Sequence, residues 1–215
     1  MQRRPLLAAC ALTALAATPS LIHAQTPPAA LVPGSVEVSG VRYAPTAQVA
    51  SSTLQLNGAG TRFKFVVRVY TAGLYLGAKA ATPDAVYATA GPKRMHVVML
   101  RDIDANELGK LFTRGMQDNT PREAFSKYIA GTLRMAEIFS ARKKLVAGDN
   151  FSVDYVPGVG TTVLVNGKAQ GEPVREAEFF NALLSIWLGP NPADDALKAA
   201  LLGQEAAAPR GGRNR

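Results

Sequence analysis

The fold of this chain depends most on residues 58–76, which read GAGTRFKFVVRVYTAGLYL. Gly58 and Gly60 predict a turn, because glycine adopts positive φ without steric cost. The turn would deliver Arg62 to the start of a long run of β-branched and aromatic residues. A guanidinium is always charged and offers a planar fork of donors that suits a carboxylate. Arg62 is therefore predicted either to anchor an anionic, mostly apolar ligand or to reach solvent from a strand end.

Composition indicates one exported globular domain. Of the 215 residues, 47% are hydrophobic and 19% are charged, which fits a folded chain. Arg3 and Arg4 precede an apolar run that ends near Ala24, as in a cleavable secretory signal, and the single cysteine, Cys10, lies within it. We therefore expect a periplasmic protein with no integral membrane segment after processing. The predicted organisation is a signal peptide (1–24), a flexible leader (25–34), a folded domain (35–203) and a disordered basic tail (204–215).

Much of the net charge of +8 lies outside the predicted domain. Loss of Arg3 and Arg4 lowers the charge to +6, and the tail arginines at 210, 213 and 215 leave about +3 on the domain itself. A nucleic-acid-binding domain usually carries a strongly basic patch. A nucleic-acid partner is therefore not expected.

Apolar runs predict a mainly antiparallel sheet. Strands are expected at 36–41, 53–56, 63–70, 95–100, 151–155 and 161–165. The pair Asn166-Gly167 is typical of a two-residue hairpin turn.

Helix start signals occur at Thr82, Asp104 and Thr120, and two further helices are expected at 175–188 and 192–202. The apolar faces of the helices after Asp104 and Thr120 are predicted to be Leu108, Leu111, Phe112 and Met116, and Phe125, Tyr128, Ile129, Thr132, Leu133, Ala136 and Phe139. Strands followed by helices, then strands and helices again, predict an α+β fold with helices over one face of an antiparallel sheet.

Several catalytic chemistries lack their residues in this sequence. Beyond the predicted signal peptide the chain has one histidine, His96, which lies in an apolar strand and is expected to be a core or sheet-face residue. With one histidine and no cysteine after processing, neither a metal site nor a cofactor is expected. No G-x-S-x-G nucleophile turn and no G-x-x-x-x-G-K-[ST] phosphate loop occurs.

Two stretches resemble the chalcone isomerase-like family, in particular its bacterial exported members. The first is Gly58-Ala59-Gly60-x-Arg62, followed by a strand that ends in AGLYL at 72–76. The second is ALLSIWLG at 182–189, followed by Pro192 and Leu197-Lys198. The resemblance spans roughly residues 35–203. It implies an open-faced antiparallel β-sandwich with a ligand cleft between the sheet and the helices.

The resemblance also implies site residues. The plant isomerase places an arginine near the phenolate, a threonine and a tyrosine near the ketone, and an asparagine and a second threonine in the cleft. The arginine corresponds to Arg62 and the first threonine to Tyr70. The tyrosine and the asparagine fall near Glu107 and Arg114, which are different residue types. The second threonine falls near Ser185, a conservative replacement.

Three functions remain open from the sequence. The favoured one is a non-catalytic binder of a small hydrophobic or amphipathic anion, such as a fatty acid, with Arg62, Tyr70, Ser185 and Arg114 as ligand-binding residues. The second is an isomerase (intramolecular lyase) acting on a chalcone-like conjugated ketone, with Arg62 as its catalytic residue. The third is a structural or interaction protein of the cell envelope with a vestigial cleft. Trp187 is expected in the core or the cleft wall.

Overall fold

The computed structural model describes residues 33–204. The predicted signal peptide (1–24), the leader as far as residue 32 and the tail from residue 205 onward lie outside the described residues. Within residues 33–204, no helix is long and apolar enough to cross a membrane.

Seven strands form one antiparallel sheet in the order β11-β10-β9-β6-β5-β4-β3. The strands are β1 (Val36–Val38), β2 (Val41–Tyr43), β3 (Thr46–Val49), β4 (Ser52–Lys64), β5 (Val67–Leu76), β6 (Lys93–Met99), β7 (Ile103–Asp104), β8 (Lys144–Leu145), β9 (Asn150–Val156), β10 (Gly160–Val165) and β11 (Lys168–Ala169). The helices are α1 (Pro83–Ala88), α2 (Ala105–Asn119), α3 (Arg122–Ser126), α4 (Ile129–Ser140), α5 (Phe179–Leu188) and α6 (Asp195–Leu201). Two small antiparallel pairs, β1–β2 and β7–β8, complete the described strands.

The main core lies between one face of the sheet and the helices. Phe112 of α2 makes edge-to-face contacts with Phe139 of α4, Phe151 of β9 and Trp187 of α5. A smaller core on the opposite face contains Tyr43, whose hydroxyl donates to the Thr71 hydroxyl at 2.8 Å. The predicted α+β fold, an antiparallel sheet with helices over one face, is confirmed. The β1–β2 hairpin adds a partial cover to the other face.

The predicted glycine turn is wrong, because Gly58 and Gly60 lie inside β4. Both glycines lie beneath α6. A Cβ atom at Gly58 would come within 2.0 Å of the Ala200 carbonyl oxygen, and one at Gly60 within 2.7 Å of the Ala200 Cβ. These positions therefore exclude side chains, because α6 packs directly on the strand, with its backbone over Gly58 and its side chains over Gly60.

Asn57 fixes the same contact from a bulge in β4, where the register with β5 shifts. The side chain is buried, and its amide nitrogen donates to the Leu201 carbonyl at 2.8 Å and to the Ala80 carbonyl at 2.9 Å. Its amide oxygen accepts from the Ala80 N–H at 2.8 Å. All three bonds join α6 and the β5–α1 loop to the sheet, a role that the sequence did not reveal.

The strand predicted over 63–70 is instead a hairpin. β4 ends at Lys64 and β5 begins at Val67, so Phe65 and Val66 form a two-residue turn, with Phe65 at φ 56°. The hairpin predicted at Asn166-Gly167 is confirmed, and both residues have positive φ (49° and 76°), as that turn requires.

The predicted helix caps at Thr82 and Asp104 are confirmed, since each side chain accepts a backbone N–H of the first turn. The single helix predicted after Thr120 is wrong: it divides into α3 and α4 at Tyr128 (φ −101°, ψ 1°). Ile129 and Leu133, predicted to be buried, are exposed, because the buried face of α4 is narrower and consists of Gly131, Thr132, Met135 and Phe139. Leu111 of α2 is exposed as well.

We expect Gly58→Ala to lower the free energy of unfolding by about 1–3 kcal/mol or more, because the added methyl group meets a backbone carbonyl rather than a flexible side chain. Urea denaturation of the purified protein measures this. Gly77→Ala is the matched control, since a Cβ atom there has ordinary contact at 3.7 Å from the Ala90 carbonyl oxygen. Equal effects of the two substitutions would contradict the close packing of α6 on β4.

Candidate functional site

Arg62 and Tyr70 face each other directly across the β4–β5 pair. The register shifts immediately after this pair, where Phe63 is opposite Arg68 and Val69 is the extra residue of a β-bulge. A bulge re-aims side chains that would otherwise alternate between faces. Val69 and Tyr70 are consecutive in sequence, yet both belong to the helix-side core.

These residues border a cavity of about 180 Å³ between the end of the β4–β5 pair nearest its turn, α2, the end of α5 and the segment that leads into α6. Most of the wall is apolar. It is lined by Arg62, Val69, Tyr70, Ile103, Leu108, Leu111, Phe112, Arg114, Gly115, Asp118, Ile186, Asn191, Pro192 and Ala193. An apolar cavity with few polar groups is the usual form of a small-molecule site.

The Arg62 guanidinium is held at the wall of this cavity by two contacts. Its Nε donates to the Ala193 carbonyl at 3.3 Å, and its Cζ lies 5.8 Å from the centroid of the Tyr70 ring. No ion pair of Arg62 within 4.0 Å is present among residues 33–204, where the ion pairs join other residues. Its terminal nitrogens also have no protein hydrogen-bond partner in that range. The charge is therefore available to an external anion.

Asp194 is the acidic residue that adjoins Ala193 in the chain, but its carboxylate is occupied by backbone groups. One oxygen accepts from the Leu197 N–H at 2.9 Å as the N-cap of α6, and the other accepts from the Phe63 N–H at 2.8 Å. These bonds hold the Asp194 carboxylate between the first turn of α6 and the C-terminal end of β4. Asp194 thus joins the two elements rather than pairing with the guanidinium.

Tyr70 supplies a neutral donor at the buried side of the cavity. The residue is 3% exposed, and its hydroxyl oxygen accepts from Trp187 Nε1 at 2.8 Å. Burial raises the pKa of Tyr70 to about 12, although the Arg62 charge and the Trp187 hydrogen bond oppose this and the Asp194 charge adds to it. The phenol therefore stays protonated at neutral pH. Among the described residues, no acceptor takes its proton.

Arg114 and Asp118 lie one helical turn apart on α2, and both line the same cavity. Both are solvent-exposed, so they stand toward the opening rather than the buried end. Gly115 between them lets α2 approach α5, since a Cβ atom there would lie 3.1 Å from Ile186 Cγ2. The structure thus brings three of the predicted site residues, Arg62, Tyr70 and Arg114, to one cavity.

Ser185 lies apart from those three. Its hydroxyl donates to the Ala182 carbonyl at 2.6 Å, and it lines a separate cavity of about 530 Å³ between α1, α3 and α5. Glu107 borders a groove between α2 and α4 and pairs with Lys110 at 3.0 Å.

His96 lies on the sheet face opposite the cavity, next to Tyr43. Its Nδ1 is 2.8 Å from the Ser152 hydroxyl, and burial, with the nearby Arg94 charge, lowers its pKa to about 4. Over residues 33–204 no cluster of three or more histidine, cysteine, aspartate or glutamate side chains could hold a metal ion.

Sequence reasoning missed two parts of the site. Trp187 was expected in the core or the cleft wall, and it is fully buried, but its hydrogen bond to Tyr70 was not foreseen. A signal existed, because a buried indole N–H needs an acceptor. The contacts of Ala193 with Arg62 and of Asp194 with the Phe63 N–H had no signal, since they depend on how closely α6 packs on β4.

A sequence profile of the chalcone isomerase-like family matches residues 35–203, so the chain belongs to that family. Among solved structures, it is similar to the crystal structure of an Arabidopsis thaliana fatty-acid binding protein. The TM-score is 0.61 at 14% sequence identity, and the match covers 78% of this chain and 95% of that one. A search of curated proteins found no sequence that matches. The structural likeness supports the fold.

We expect Tyr70→Phe to lower the free energy of unfolding by about 1–3 kcal/mol at neutral pH, because the buried Trp187 N–H loses its acceptor. Wild-type stability should also fall as pH rises from 10 toward 12, since the unfolded chain releases the tyrosine proton near its ordinary pKa of 10.0 and the folded chain only near 12. The variant should lose less stability over that range.

Urea denaturation across this pH range measures both effects. Tyr155→Phe is the control, since Tyr155 is partly buried on β9 and makes no hydrogen bond to Trp187. A Tyr70→Phe variant as stable as the control, with an unchanged alkaline profile, would contradict the assigned Tyr70–Trp187 contact.

Proposed function

We propose that this protein binds a small hydrophobic carboxylate, such as a fatty acid, in the cavity beside Arg62 and does so without catalysis. The observation that carries the proposal is the Arg62 guanidinium, which stands at an apolar wall with no carboxylate within 4.0 Å in the described part of the chain. A buried or partly buried charge is costly unless it is paired. An incoming carboxylate supplies that pair.

The donors at this wall suit a carboxylate. The two terminal nitrogens of Arg62 offer parallel N–H donors, and charge-assisted hydrogen bonds of this kind are about twice as strong as neutral ones. The Tyr70 hydroxyl keeps its proton and adds a third donor. At the opening, Arg114 and Asp118 carry opposite charges, so the attraction for a carboxylate rests on Arg62.

The apolar wall suits the chain of such a ligand. Leu108, Phe112 and Ile186 line the cavity without polar groups, so methylene groups there leave water. The volume of about 180 Å³ is below the roughly 300–1,000 Å³ usual for drug-sized ligands. The cavity as it stands accepts the carboxylate and the nearest carbons, and a longer chain extends past exposed Leu111.

The structural relative adds support of a different kind. A protein of the same fold is described as fatty-acid binding, so this fold can accommodate such a ligand. At 14% identity the relative supplies no residue roles here. The periplasmic location that we propose is supported only by the secretory pattern of residues 1–24.

The two alternatives from the sequence have less support. For isomerisation of a conjugated ketone, the position that corresponds to the plant enzyme's tyrosine falls near Glu107, which is a different residue type and pairs with Lys110 in the α2–α4 groove. For a vestigial cleft, Arg62 would be expected to pair with an internal acid. Asp194 instead accepts two backbone N–H groups.

We expect Arg62→Ala to weaken decanoate binding by roughly 10–100-fold, the equivalent of losing a charge-assisted hydrogen bond. Isothermal titration calorimetry measures the affinity. Arg68→Ala removes a neighbouring exposed arginine outside the cavity and should bind decanoate as wild type does. Decanol, which lacks the charge, should bind weakly to all three proteins. Equal affinity for decanoate and decanol would contradict a carboxylate site.

We also expect affinity to rise by about fourfold for each added methylene group in a series of straight-chain carboxylates, until the cavity is filled. Beyond that length the affinity should level off, because further carbons remain in water. Calorimetry with hexanoate through tetradecanoate would locate the plateau. A series with no dependence on chain length would show that the apolar wall does not contact the ligand.

A further inference from the structure

The turn between β4 and β5 exposes apolar side chains to solvent. We call residues 63–68, which read FKFVVR, the apolar tip. Phe65 is 92% exposed and Val66 is 91% exposed, while Phe63 and Val67 are each about two-fifths exposed. Single exposed apolar residues are common on proteins, but four within five positions at the end of a protruding hairpin form a patch.

Folding does not account for these residues. A two-residue hairpin whose first residue has positive φ favours glycine at that position, yet Phe65 occupies it at φ 56°. Among the other described two-residue hairpins, two end their turn on glycine (Ser39-Gly40 and Asn166-Gly167), and the third has the small residue Ala50 at its positive-φ position. A bulky residue in a disfavoured conformation points to a role outside folding.

Basic side chains accompany the apolar residues of the tip. Lys64 and Arg68 are themselves part of residues 63–68, and both are exposed. Exposed Arg101 lies next to its base, because the Leu100 N–H donates to the Val69 carbonyl at 3.0 Å.

Two of the acidic groups near this end of the sheet are engaged by protein groups, and a third, Asp118, lies on α2 at the cavity opening. Asp194 accepts two backbone N–H groups, and Asp102 pairs with Lys144 at 2.9 Å. The apolar tip therefore combines two fully exposed apolar side chains with a positive surround.

We propose that the apolar tip docks on the surface of an anionic lipid bilayer. Phe65 and Val66 enter the interface between headgroups and acyl chains, and Lys64, Arg68 and Arg101 contact lipid phosphates. Apolar insertion combined with basic contacts is the usual basis of peripheral membrane binding.

The size of the tip favours a bilayer over a protein partner. A buried aromatic side chain contributes about 150–250 Å², so one fully exposed phenylalanine with its neighbours falls short of the roughly 800 Å² per partner of a standard protein interface. A bilayer has no such minimum, because the interface forms around whatever inserts.

Docking would also orient the cavity. Arg62 immediately precedes the apolar tip on β4, and Val69 and Tyr70 immediately follow it on β5, so all three would lie close to the bilayer. The cavity would then lie beside the bilayer, in which a fatty acid is more soluble than in water. This step rests on the proposed carboxylate site.

Vesicle sedimentation of the purified protein tests the docking. Wild type should bind vesicles that contain phosphatidylglycerol at least about tenfold more tightly than pure phosphatidylcholine vesicles, given about fivefold for each basic residue. Lys64→Gln with Arg68→Gln should weaken binding to the anionic vesicles by roughly 25-fold.

A second variant tests insertion. Phe65→Gly with Val66→Asn installs residues that the turn favours, so its thermal stability should match or exceed that of wild type. Its vesicle affinity should fall by roughly tenfold or more. Val159→Ser changes a half-exposed valine outside the apolar tip, in the β9–β10 turn, and should leave vesicle binding unchanged.

Three results would overturn the proposal. The first is equal affinity of wild type for the two vesicle types, and the second is a loss of vesicle affinity in Val159→Ser as large as in the Phe65→Gly, Val66→Asn variant. The third is a wild-type protein that binds no vesicles but forms a dimer, while the Phe65→Gly, Val66→Asn variant is a monomer. Decanoate titration of the same variant separates the two sites. Its affinity should equal that of wild type. If wild type does not bind decanoate, the proposed carboxylate site is wrong. The docking of the apolar tip is then decided by the vesicle experiment alone.

Discussion

The packing of α6 directly on β4 is the constraint on which the site depends. It is possible because Gly58 and Gly60 present only hydrogen atoms to the helix. The approach brings the start of α6 to the end of β4, where Asp194 accepts one N–H from each element. Both carboxylate oxygens of Asp194 are therefore occupied by backbone N–H groups. The carbonyl of the preceding residue, Ala193, accepts one hydrogen bond from Arg62. The same contact that fixes the helix leaves the guanidinium charge without an internal counterion in the described part of the chain.

An uncompensated cation at an apolar wall gives the site its selectivity. Electrostatic attraction is stronger where water is excluded, so a carboxylate gains more there than at the protein surface. Tyr70 adds a donor without adding charge, because burial keeps its phenol protonated. The Trp187 indole N–H donates to the Tyr70 hydroxyl oxygen and so helps to fix its position. The polar groups of the site thus come from the neighbouring strands β4 (Arg62) and β5 (Tyr70), and Trp187 of α5 completes them.

Local signals predicted the fold well, and non-local contacts limited the site. The caps at Thr82 and Asp104 and the Asn166-Gly167 turn depend on neighbouring residues, so the sequence discloses them. The glycines of β4 were misinterpreted as a turn because the helix that requires them lies about 140 residues later. Ser185 was grouped with Arg62 by resemblance, yet its place on α5 directs it to another cavity. Residues of one helix face different neighbouring elements, as Ser185 and Ile186 of α5 do by lining different cavities. The pattern of a single sequence does not specify which cavity each helix face lines.

The central claim is that the Arg62 guanidinium pairs with the carboxylate of a bound ligand. The most direct test is an NMR pH titration of decanoate that is isotopically labelled at its carboxyl carbon, in the complex and in free solution. Pairing with a cation stabilises the ionised form, whereas burial alone stabilises the neutral form. The account predicts that the pKa of the bound carboxyl group lies below its value in free solution and returns toward or above it in Arg62→Ala. A bound carboxyl group whose pKa is raised in the wild-type complex would contradict the pairing.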